Sequence, residues 1–310
     1  MRIPNCLNRG LIPNVIGSAC YAVQSRVEGP LFSDMLLERE EELWTSSAGE
    51  HTPAECETGA ILFDRAGNVR RCCRHWQRLL SNKLHAKEFA QRAEVRVARL
   101  LWKGADLEAF PSELLNDNVV IKSKFGWSSR QVIPVRAGVN MFTGSPVSAS
   151  ALRAWAGSLL ADPRFRNTSF FAEELLVGAG NGPAVQTDYK LFCFGYDVAF
   201  IQIIDRVGGT SSWYTRTWDR VPDQMHTLFL NGKTHPRPQR LEEMIDISRR
   251  LSRRYEYPFV RCDLYSCVDG VYFGELTHAP NAGRSRKLFT PFANRVLGRL
   301  WEEALNTGLR

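Results

Sequence analysis

Along this chain the apolar positions recur at two different spacings, and each change of spacing marks an element. Over residues 70–98, Trp76, Leu79, Leu80, Leu84 and Phe89 return at helical spacing, which keeps them on one face. The period shortens to two at 119–122 and again at 131–135, the signature of strands. Between them, Phe125, Gly126, Trp127, Ser128 and Ser129 read as the glycine-serine tip of a hairpin. A helix is expected at 152–160, then an apolar strand at 169–176 carrying Glu173 and Glu174, then a glycine-rich break at 177–183. Strands at 188–194 and 198–205 flank a turn at Gly195, Tyr196 and Asp197. Two more helices follow, at 241–251 with Leu241, Met244, Ile245 and Leu251 on its apolar face, and at 292–305.

Residues 1–75 hold no sustained period. They combine a run with four glutamates at 37–43 with Ser, Gly, Thr and Pro at 46–59, which reads as a loop. No internal repeat is visible. The pattern is α+β, with mostly antiparallel hairpins and helices packed on them.

Composition narrows the class. With 310 residues and 44% apolar content the chain can bury a sizeable core, and its length suggests two or three lobes. No apolar run approaches the roughly 20 residues of a membrane span, so none is expected. Residues 11–23 are mostly apolar, but Pro13, Asn14 and Ser18 interrupt them, and a signal peptide is not expected. The eight cysteines, at 6, 20, 56, 72, 73, 193, 262 and 267, form no CxxC pair; they read as free thiols in a reducing compartment, the cytoplasm. A formal charge of +7 favours anionic partners. The arginines are scattered, and without an aromatic-basic stripe nucleic acid is not expected.

The candidate chemistry centres on residues 259–278. β-Branched and aromatic residues surround Asp269 and Gly270, a turn signal, so the segment reads as a β-hairpin. Its register decides its meaning. A two-residue turn at Asp269 and Gly270 pairs Val268 with Val271, and leaves Asp263 and Glu275 on opposite faces. A three-residue loop at Val268, Asp269 and Gly270 instead sets Asp263 opposite Glu275 and Arg261 opposite Thr277. In that register the cross-strand Cβ atoms lie about 5 Å apart, close enough for the two carboxylates to share a magnesium ion. Ordinary salt bridges on a solvated sheet face account for the same residues.

Other positions suit an anion. Lys122 ends a strand just before the glycine-serine tip, where backbone N–H groups can close over phosphates, although no P-loop is present. Lys83 lies on the amphipathic helix, where lysines are commonly solvated. Alternation puts Asp188 and Lys190 on one strand face, an acid for ribose hydroxyls and a cation for a phosphate. Cys262 alternates away from Asp263 and reads as core; His278, past the second strand, reads as structural.

From Trp76 onward the chain resembles the ATP-grasp superfamily, most closely its TupA-like (teichuronopeptide biosynthesis) subfamily. The resemblance is carried in order by Asn82-Lys83, by 119–122 with Gly126, by 171–175, by 188–195, by 257–265 and by 271–277. It implies two α+β lobes, 76–172 and 173–310, clasping ATP, with residues 1–75 matching poorly. Lys83, Lys122, Gly126 and Ser128 would contact the nucleotide phosphates from the first lobe. Glu173 and the backbone through Leu176 would read the adenine edge, Asp188 would hold the ribose, and Lys190 and Arg206 would approach the phosphates. Asp263, Glu275 and Thr277 would bind Mg2+, and Arg261 would act catalytically on the acylphosphate. Relatives carry Asp where this chain has Asn82, Asn where it has Thr277, and a smaller loop where it has Phe125 and Trp127. The implied activity is an ATP- and Mg-dependent carboxylate-amine ligase, acting on small-molecule or polymer-linked acids and amines, in cell-surface polysaccharide or specialised peptide biosynthesis. A silent nucleotide-binding protein and a kinase on the same fold are the alternatives.

Overall fold

A computed structural model describes residues 29–45, 62–63, 69–70, 76–126, 131–162, 165, 168–178, 186–206, 208–283 and 288–307. The loop expected at 46–59 and most of the glycine-rich run at 177–183 lie outside these residues. Contacts divide the chain into two compact units: one of 1–42, 188–264 and 276–310, the other of 43–187 and 265–275. Residues 29–42 fall in the unit that holds the end of the chain, and the eleven residues 265–275 of the hairpin tip and its flanks fall in the other.

In the first unit, the glutamate-rich run is part of a helix, α1 (Phe32–Thr45). Its buried residues Phe32, Leu36, Arg39 and Leu43 fall at three- and four-residue steps, so the glutamates are largely the outer side of an amphipathic helix. Phe32 sits among Phe194, Phe259, Phe289 and Trp301, with ring centroids 5.8, 5.0, 5.2 and 5.7 Å away. The chain leading into α1 passes so close to α6 (Pro291–Asn306) that a Cβ on Gly298 would lie 2.0 Å from the Pro30 carbonyl oxygen. Only glycine permits that approach. Strands β9 (Asp188–Phe194), β10 (Asp197–Asp205) and β11 (Thr210–Thr215) form an antiparallel meander, and α5 (Leu241–Tyr255) buries the face predicted for it.

In the second unit, the single helix expected at 70–98 is two, α2 (Trp76–Leu79) and α3 (Lys83–Arg92). The break is at Asn82, whose side chain accepts a hydrogen bond from Leu84 N at 3.0 Å and so starts a new helix instead of continuing the old one. After α3 the chain leaves helix through Glu94, at φ 57°, and residues 96–104 form strands β3 (Arg96–Val97) and β4 (Leu100–Gly104). Strands β5 (Asn118–Ser123), β6 (Val132–Arg136) and β8 (Phe170–Glu174) pair antiparallel as the alternation predicted. They present Val119, Ile121, Ile133, Val135, Phe170 and Ala172 to α4 (Ala149–Ala161) in one apolar core.

Strands β13 (Phe259–Cys267) and β14 (Gly270–Thr277) form the hairpin and neighbour each other in a seven-stranded sheet that begins at the short β12 (Leu230–Asn231); β1 (Leu62–Phe63) pairs with β2 (Val69–Arg70), and β7 (Val139–Asn140) with β6. No helix among the described residues is long and apolar enough to cross a membrane. Cys193, Cys262 and Cys267 are buried free thiols, and the other five cysteines lie outside the described residues.

Candidate active site

In the second unit, three lysines and two carboxylates converge. Lys122, on β5, and Lys87, on α3, each pair with the Glu173 carboxylate on β8, at Oε1 and Oε2 respectively. Lys83, one turn before Lys87, donates to the Gly126 carbonyl oxygen at 2.7 Å, with Glu275 as its strongest charged neighbour. The strand ladder explains the convergence: Val120 pairs with Glu173, and Lys122 lies two residues along β5 on the same face. Three lysines against two carboxylates leave one positive charge in excess.

Burial governs the acidities of the two lysines on α3. Burial, reinforced by Lys122, lowers Lys83 below the usual lysine range despite Glu275, and burial does the same to Lys87 despite Glu173. Burial pushes the Glu173 carboxyl up, but Lys122 and Lys87 outweigh it and hold the group below its ordinary range. Such a site is charged, desolvated and one anion short.

In the first unit, a second buried cluster joins β9 to β13. Lys190 donates to Asp188 and, at 2.6 Å, to Asp263 Oδ2. Arg261 grips Asp263 through Nε at 2.6 Å and Nη2 at 2.8 Å, and Nη2 also reaches Thr277 Oγ1 at 2.9 Å. Burial works against ionised Asp263, yet Arg261 and Lys190 keep it below the usual carboxylate range. Asp188, by contrast, is raised by its burial.

The Arg261 to Thr277 hydrogen bond puts those two side chains on one face of the hairpin. The turn occupies Val268 and Asp269, where the sequence offered either Asp269 and Gly270 or all three of Val268, Asp269 and Gly270. Gly270, the first residue of β14, follows that turn at φ 152°. Cys262, Leu264 and Leu276 are buried, and Glu275 lies two residues before Thr277 on β14, on the same face of that strand.

Oxygen-only donors suit a hard cation such as magnesium, which keeps several waters and needs only one or two carboxylates beside substrate phosphates. One buried oxygen, Asp188 Oδ1, has no hydrogen-bond partner, so the first-unit cluster has acceptor capacity left for a cation. No group of three or more His, Cys, Asp or Glu residues converges among the described residues, as a dedicated all-protein cage would require.

The remaining expected positions are placed differently. Arg206 is exposed in the turn after β10, and its charge bears on His226. Leu176 is half-buried just past β8, and Ser128 lies outside the described residues. His278 is buried. Lys87 went unread in the sequence. Its signal was available: it lies four residues after Lys83 and three before Ala90, on the inward stripe of α3 with Ala86.

A family model described as TupA-like ATPgrasp matches residues 69–301. No curated protein matches the chain. Among solved structures, the ATP-grasp ligase PsnB complexed with a phosphomimetic variant of minimal precursor, Mg and ADP is 15% identical, at a TM-score of 0.42, over 74% of this chain and 59% of that one. The ADP complex of purK, a carboxyaminoimidazole ribonucleotide synthetase, is 14% identical at 0.46, over 72% and 52%. D-alanine–D-alanine ligase from Bacillus anthracis complexed with ATP is 12% identical at 0.44, over 74% and 66%. The chain thus spans less than two-thirds of the length of each.

Proposed function

The chain belongs to the TupA-like ATP-grasp family, and from that premise we propose that it is an ATP- and magnesium-dependent ligase joining a carboxylate to an amine. The observation that carries this reading is the convergence of Lys83, Lys87 and Lys122 on Glu173 and Glu275. A buried excess of positive charge is what a polyphosphate neutralises.

A free carboxylate is a poor electrophile, and phosphorylation gives it a leaving group. A carboxylate oxygen attacks the γ-phosphorus of ATP and ADP departs with the bridging oxygen's electrons. The amine nitrogen then attacks the acyl carbon, loses a proton, and inorganic phosphate leaves with the C–O electron pair. Lys83 and Lys122 hold the phosphates. Lys190 approaches the transferred group from β9, and Arg261 offsets the charge that builds on the acyl phosphate. Asp263, Glu275 and Thr277 would hold magnesium, which when bound supplies charge neutralisation across the phosphate oxygens. Asp188 is assigned to the ribose, as the family resemblance implies. The acid and amine fit cell-surface polymer or specialised peptide synthesis in the cytoplasm, a reading that rests on the family description and the basic charge.

Glu275→Ala is expected to lower magnesium-dependent ADP release about 10³-fold or more while leaving the melting temperature unchanged. Full turnover in that variant overturns the assignment. A silent nucleotide-binding protein is the competing reading, favoured by the occupation of both Asp263 oxygens by Lys190 and Arg261. ADP release against a panel of acids and amines, with product masses, separates the two. An amide product also excludes a kinase, whose product retains the phosphoryl group.

A further inference from the structure

Lys87 is 8% exposed and takes no part in the roles assigned to its neighbours. Its ammonium is spent inside the protein, donating to the Ala98 carbonyl oxygen at 2.9 Å and pairing with Glu173 Oε2. Lys122 holds the other oxygen of the same carboxylate. A buried ammonium costs several kcal/mol of desolvation, and an apolar side chain of similar length would fill the same space on α3. Charge at this position therefore serves something other than packing.

We propose that Lys87 is a positioning residue for the nucleotide: by anchoring one oxygen of Glu173 it fixes the carboxylate whose other oxygen aims Lys122. This inference rests on the ligase reading, because the aim of Lys122 matters only if phosphates are bound there. With Lys87 gone, Glu173 keeps one cation instead of two, and its freed oxygen draws Lys122 or Lys83 inward. The charged groups that remain around Glu173 are Lys122 on β5 and Lys83 on α3, and Lys83 in turn faces Glu275 on β14. Burial of Glu173 is then opposed by Lys122 without Lys87, so the carboxyl takes up a proton more readily and holds Lys122 less firmly as pH falls.

The test is the dissociation constant of ATP, measured by calorimetry across pH 6 to 8 on the full chain. Lys87→Met is expected to weaken binding about tenfold, roughly one charge-assisted interaction, and to make it worsen as pH falls. Lys87→Arg is expected to restore both the affinity and the flat profile. If Lys87→Met does not fold, Lys87→Gln, which keeps an N–H for Ala98 but no charge, is read in the same way. A purely structural role predicts a lower melting temperature with unchanged affinity in the folded fraction, and that result overturns the proposal while the ligase reading stands. Failure of the wild-type chain to bind ATP removes both.

Discussion

His226 is 6% exposed, and its Nδ1 accepts a hydrogen bond from Leu228 N at 3.1 Å, so only the neutral ring fits. Burial, with Arg206 second, lowers its pKa to about 4. The unfolded chain takes up this proton near the ordinary value of about 6.5, so it binds more protons than the folded one between those values. Stability is therefore full above pH 6.5, is lost as pH falls toward 4, and the loss amounts to at most about 3 kcal/mol. Denaturant midpoints at pH 7.5 and 5 should differ in the wild type and differ less in His226→Asn; equal slopes would refute the claim. At the same scale, the partners of Glu173 were only half legible. Lys122 follows from strand alternation, whereas Lys87 meets Glu173 across 86 positions of chain, which no local pattern encodes.

Among elements, α1 shows most sharply how a local reading falls short. Its run of glutamates suggests solvent, and solvent is what most of them meet, but Phe32, Leu36 and Leu43 on the other side are essentially fully buried. The stripe is visible in the sequence only once the helix is assumed to begin at Phe32. Phe32→Ala removes a ring that four others surround, and is expected to cost about 3–5 kcal/mol, read as a lowered denaturant midpoint. A midpoint within error of the wild type would mean that α1 is not part of the cooperative core. The hairpin gives the opposite lesson. Its strands were legible from composition, but the face shared by Arg261 and Thr277 depended on one residue of register.

For the whole molecule, the chain contributes three segments to one compact unit and two to the other, so chain order is a poor guide to which residues pack together. If ATP with magnesium binds the folded state alone, a concentration about 100 times its dissociation constant should stabilise the protein by about 2.7 kcal/mol, seen as a rise in Tm. No rise at that concentration would argue against nucleotide binding. By itself the sequence determined the α+β class, most strands and helices, the family, and the residue types of both clusters. These follow from periodicity and from ordered local motifs, where each side chain's face is set by neighbours a few positions away. Only the tertiary structure decided that α1 completes a core built mainly by the end of the chain, that Lys87 joins Lys83 and Lys122, and that Arg261 and Thr277 share a face. Each of these depends on strand register or on contacts between residues distant in the chain, and a one-residue slip or an unseen helix start reverses them without changing any local pattern.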